Sequence, residues 1–146
     1  MTGQRFSVDT NILIYSIDKD ADARHQQSRI ILDALADADC VLTLQALSEF
    51  FNAVTRKDKM SRVDAADTVR DWMELFPVAA ADGRTLADAM RLRIDHDFAF
   101  WDAMLVQAAR AAGVTRLLTE DMQDGRVIGA MRLENPFKAG FDLRLV

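Results

Sequence analysis

Hydrophobic positions along this chain alternate between two spacings. Phe6 and Val8 interleave with Arg5 and Ser7, the two-residue period of a short strand, and the apolar run from Ile12 then opens a helix. After a polar break at residues 18–22, Ile30, Ile31, Ala34, Leu35 and Ala38 mark a one-sided helix over residues 23–38. Residues 40–43 read as a second strand. In the helix that follows, Leu47, Phe50, Phe51 and Val54 fall at i, i+3, i+4 and i+7. That stripe leaves Glu49 on the other face with Gln45, Ala46, Asn52, Ala53 and Arg56.

The same alternation continues beyond the charged connection at residues 56–62. Ser61 is placed to cap a helix from Val63 to about Leu75, Pro77 stops it, and residues 78–80 suit a third strand. A helix over residues 85–94 has Leu86, Ala89, Met90 and Arg93 in register. Residues 102–112 are alanine-rich and apolar nearly all round, which predicts a buried helix ending at Gly113. Residues 114–118 predict a fourth strand and 127–133 a fifth, and Phe141, Leu143 and Leu145 alternate as a small final strand would. Strands alternating with helices imply an α/β fold of three layers, a mostly parallel central sheet of about five strands with helices on both faces.

Composition adds bounds to this picture. At 146 residues, with 50% hydrophobic and 28% charged positions, the chain suits one domain spanning residues 1–146 with a sizeable core. Its apolar runs are short and its first residues lack a signal-peptide plan, so a cytoplasmic protein without a membrane segment is expected. The single cysteine, Cys40, has no thiol to pair with. A net charge of -5 argues against binding nucleic acid by bulk electrostatics alone. That objection weakens where carboxylates hold divalent cations, because the ion reverses the field a phosphate meets.

Four acids have related addresses. Asp9 ends the first strand, Asp121 follows the fourth, Asp102 begins the buried helix leading into the fourth, and Glu49 lies on the polar face of the helix after the second. If strands one and four are neighbours, all four reach the crevice at the carboxyl end of the sheet. Each also has a plainer role open to it. Asp9 and Asp102 suit helix caps, Glu49 a solvated helix face, and Asp121 a turn. Carboxylates crowded into one cleft raise one another's pKa unless a cation sits among them, and hard oxygen donors select Mg²⁺ or Mn²⁺ over zinc. His25 and His96 have no ligand spacing, and no serine lies in a nucleophile-elbow pattern. Arg56, Lys57, Lys59 and Arg62 are the basic residues best placed to contact a phosphate backbone.

Taken in order, Asp9-Thr10-Asn11, Ser48-Glu49-Phe50, Trp101-Asp102-Ala103, Leu118-Thr119-Glu120-Asp121-Met122 and Asn135-Pro136-Phe137 resemble the PIN-domain family, in particular the VapC toxins of bacterial toxin–antitoxin pairs. The likeness covers nearly the whole chain, although the tail after Phe137 is longer than in many members. It implies a Mg²⁺- or Mn²⁺-dependent ribonuclease with Asp9, Glu49, Asp102 and Asp121 as the acidic site. Asn11 and Thr119 match positions that support such a site, and Glu120 and Asp124 are further contributors. It also implies a homodimer held inactive by a VapB-like antitoxin. The rival readings are a haloacid-dehalogenase-like phosphatase and a catalytically silent module that binds RNA or protein. The phosphatase requires a second Asp two residues after the first, where this chain has Asn11.

Overall fold

The computed structural model describes residues 3–144. Its elements run β1 (Phe6–Val8), α1 (Thr10–Ile17), a single 3-10 turn, α2 (Ala23–Leu35), β2 (Leu42–Thr43), α3 (Leu44–Arg56), α4 (Arg62–Leu75), β3 (Val78–Ala79), α5 (Gly83–His96), α6 (Phe100–Ala111), β4 (Arg116–Leu118), β5 (Val127–Ile128) and β6 (Met131–Glu134). The main sheet has the order β1-β4-β6-β5, and a smaller sheet pairs β2 with β3. β1, β4 and β6 run parallel. A parallel bridge from Phe6 to Cys40 lays the chain before β2 along β1.

Local chemistry sets most of these boundaries. Ser61 Oγ accepts from the Asp64 amide and starts α4 as the sequence predicts. Asp82 and Thr85 form a reciprocal capping box that begins α5 two residues earlier than the periodicity indicates. Gly113, at φ +83°, follows α6 in the left-handed conformation of a glycine stop.

Several readings change, among them Ile30 and Phe51, expected on inward stripes but exposed. Residues 127–133 are two antiparallel strands, because Gly129 at φ +59° turns the chain between Ile128 and Met131. Of the suggested final strand, Phe141 and Leu143 lie in irregular chain and Leu145 lies outside the described residues. On α5 the buried positions are Thr85, Ala89 and Leu92, while Leu86 and Met90 are exposed, so the inward stripe is rotated from the one expected.

Phe6, Val8, Ile12, Leu13, Phe50, Leu105, Leu117, Leu118 and Leu133 centre one continuous core. Every residue of β1 is buried, Ser7 included, so both faces of the strand are covered and its serine side chain is as enclosed as its neighbours. Among the described residues no helix is long and apolar enough to cross a membrane.

Candidate active site

The parallel register of β1 and β4 decides where the acids meet. Val8 pairs with Leu118, so Asp9 and Thr119 leave the sheet side by side, and the Asp9 amide donates to the Leu118 carbonyl at 2.8 Å. Asp9 is the N-cap of α1. Its Oδ1 accepts from the Thr10 amide at 2.7 Å, and its Oδ2 accepts from the Thr119 hydroxyl at 2.7 Å. The side chain is a cap and a member of the cluster at once.

The remaining acids arrive from separate elements. Glu49 projects from α3, where its Oε1 accepts from the Thr10 hydroxyl at 2.8 Å. Asp102 stands in the first turn of α6, two residues inside the helix; Ala99 occupies the cap position, so capping does not account for Asp102. Gln45 of α3 donates to the Trp101 carbonyl at 2.9 Å and ties the Glu49 helix to the start of the Asp102 helix. Asp121 follows Thr119, whose hydroxyl accepts from its amide at 3.3 Å.

Electrostatics show that the four share one field. Burial pushes the Asp9 carboxyl up to about 6; the Thr119 and Thr10 hydrogen bonds oppose this, and the charges of Asp102 and Asp121 add to it. Asp102 is raised as well, first by burial and then by Asp121 and Glu49. The carboxylates interact without closing into a ligand shell. Among the described residues no three Asp, Glu, His or Cys side chains are tight enough to grip one ion as they stand. The donor chemistry nevertheless fits a hard divalent cation, which would offset the burial of charge that chiefly raises Asp9 and Asp102 and the repulsion that adds to it. Asn11 supports the same fit: its Oδ1 and Nδ2 are buried and unpartnered within the first turn beside Asp9, which is costly unless something else satisfies them.

The other residues singled out by sequence are placed as follows. Glu120 neighbours the cluster but is engaged elsewhere, accepting from the Tyr15 hydroxyl and from Arg24 Nε, both at 2.6 Å. Burial raises its pKa, and the Arg24 and Tyr15 hydrogen bonds outweigh that and hold it low. Asp124 lies further along the loop, where its carboxylate accepts from the Asn135 amide at 2.7 Å and secures the β4–β5 connection. Lys59 is bound to Asp18 at 2.7 Å, while Arg56, Lys57 and Arg62 are exposed around the α3–α4 turn. Thr10, Tyr15 and Gln45 join the site's framework without having stood out in sequence. A cap position was the only local hint for Thr10, and Tyr15 meets Glu120 across 105 residues of chain.

Comparison with known proteins identifies the family and the fold. A family model described as PIN domain matches residues 7–125. Ribonuclease VapC23 of Mycobacterium tuberculosis is 32% identical over 117 residues, covering 78% of this chain and 90% of that protein. The solved structure of M. tuberculosis VapC20, a Sarcin-Ricin loop cleaving toxin, superposes with a TM-score of 0.62 at 17% identity, over 77% of this chain and 86% of that one. A DNA-bound VapBC from Salmonella typhimurium gives 0.67 at 16% identity, over 91% and 98%. At such identities the structural matches establish a shared fold.

Proposed function

The chain belongs to the PIN-domain family, and from that premise we propose that it is a metal-dependent endoribonuclease of the VapC kind, hydrolysing RNA phosphodiester bonds. The observation that carries this reading is the meeting of four carboxylates from four elements around a buried Asp9 whose pKa is pushed up to about 6.

Asp9, Glu49, Asp102 and Asp121 would hold Mg²⁺ or Mn²⁺, which supplies a water of lowered pKa and neutralises charge on the phosphate. The chain's own residues set the stage for that chemistry. Thr119 and the Thr10 amide lock both oxygens of Asp9, so its orientation is fixed before substrate arrives. The Thr10 hydroxyl does the same for Glu49. Asn11 supplies a neutral polar group that has no protein partner. Asp102, raised by partial burial and then by Asp121 and Glu49, is suited to take a proton from the attacking water. Water as the nucleophile leaves the RNA 2′-hydroxyl uninvolved, so the products carry 5′-phosphate and 3′-hydroxyl ends.

We further propose that the toxin is a homodimer and that a cognate VapB-like antitoxin regulates it; the antitoxin is supported by a protein of this fold that crystallised as a toxin–antitoxin complex. The test of the whole reading is Asp9→Asn with RNA and Mg²⁺. Folding should persist while cleavage falls by orders of magnitude. Cleavage at the parent rate, or a 2′,3′-cyclic phosphate product, overturns it.

A further inference from the structure

A second feature lies along the far side of α6. A cleft of about 450 Å³ opens between α5, α6 and the β5–β6 hairpin, and Arg91, Arg110 and Arg126 line it. Eight of the protein's 18 Lys and Arg residues contact carboxylates: Arg5, Arg24, Lys59, Arg70, Arg93, Arg116, Lys138 and Arg144. Among the described residues the three cleft arginines make no ion pair, although Asp88 and Asp95 stand on the α5 wall of the same cleft. Two of the three are held in place by neutral groups. The Arg126 guanidinium lies 4.3 Å from the centre of the Phe98 ring. Arg110 donates to the side chain of buried Gln107 at 3.1 Å, and its Nη2 lies 2.5 Å from where a Cβ on Gly129 would be. Planar guanidiniums fixed in this way with donors to spare are suited to phosphate oxygens.

We infer that this cleft binds the backbone phosphates of the RNA strand away from the bond being cut, an inference that rests on the ribonuclease reading above. The connection is α6 itself. Asp102 is in its first turn and Arg110 near its end, about 12 Å apart along the axis at 1.5 Å per residue, a span of a few nucleotides. The cluster of carboxylates and the net charge of -5 both repel a polyanion, so a strand needs cationic footholds beyond the metal to stay on this protein. The cleft concentrates three on one side of the helix that presents Asp102.

The test measures binding of a fluorescent single-stranded 20-nucleotide RNA in EDTA, where no cleavage occurs, as a function of NaCl. Each phosphate contact on a single strand contributes about 0.7 to the slope of log affinity against log salt. Arg91→Gln with Arg126→Gln should therefore lower the slope by about 1.4 and weaken binding at low salt. The charge-matched control, Arg29→Gln with Arg84→Gln, should leave the slope where it is. An unchanged slope in the cleft pair, or an equal fall in the control, overturns the inference. RNA cleavage by the parent with Mg²⁺ is assayed in parallel, so that the two readings fail separately. A parent that cleaves RNA but shows no cleft-dependent slope loses only the cleft. A parent that binds through the cleft but never cleaves loses only the nuclease.

Discussion

Asp9 is the residue at which fold and chemistry compete. It caps α1, closes the β1–β4 junction through Thr119, and yet sits 7% exposed beside other acids. Its folded pKa of about 6 lies above the ordinary 3.8. The folded state therefore holds this proton more tightly than the unfolded chain does. That contribution to stability is present in full below about pH 4 and is lost as the pH rises through about 6. A gap of about two pKa units corresponds to about 3 kcal/mol. In chelator, thermal stability should fall from pH 4.5 to pH 7, and Asp9→Asn should flatten that fall while raising the midpoint at pH 7. A parent whose midpoint rises steadily over the same interval would contradict the assigned pKa. Much of this site could be read from sequence because strand ends are local: an acid after Phe6-Ser7-Val8, another after Arg116-Leu117-Leu118. What could not be read is how each oxygen is occupied. Glu120 sits next to Asp121 in sequence but is held by Tyr15 and Arg24, 105 and 96 residues away. No local pattern announces such a contact.

At the level of elements, periodicity locates a helix such as α3, which buries Ala46, Leu47, Phe50 and Val54 on one side, and it fails where a single residue overrides the pattern. Val127 to Leu133 is mostly apolar and reads as one strand, but Gly129 takes a positive φ and reverses the chain. The α5 stripe was misassigned for a related reason. Leu86 and Met90 are apolar but face outward, and small Ala89 with Thr85 faces the core, a choice that close packing against α6 makes and hydrophobicity alone does not. Gly129→Ala tests the hairpin. The left-handed conformation costs an alanine about 1–2 kcal/mol, and the new Cβ must also displace the Arg110 guanidinium. The urea midpoint should drop accordingly. The drop should persist when Arg110 is shortened to alanine, though smaller, since the backbone cost remains. An unchanged midpoint in Gly129→Ala would mean that the turn is not built as described.

For the molecule as a whole, a divalent cation held by the four acids would enter the stability as well as the proposed chemistry. A chain of net charge -5 that gathers four carboxylates from α3, α6 and the ends of β1 and β4 pays for it in burial of charge and in repulsion, and both raise Asp9 and Asp102, burial the more. An ion that binds only the folded arrangement returns stability by mass action, about 2.7 kcal/mol once its concentration reaches 100 times its Kd. The thermal midpoint at pH 7 should thus climb with the logarithm of MgCl₂ concentration, and NaCl at matched ionic strength should not reproduce the climb. Asp9→Asn, with the repulsion relieved and a ligand charge removed, should begin at a higher midpoint and climb less. Asp124→Asn should climb as the parent does, because that carboxylate is engaged by the Asn135 amide and by Lys138. If MgCl₂ and NaCl act alike on the parent, the four acids do not form a cation site, and their convergence at the end of the sheet would need another cause.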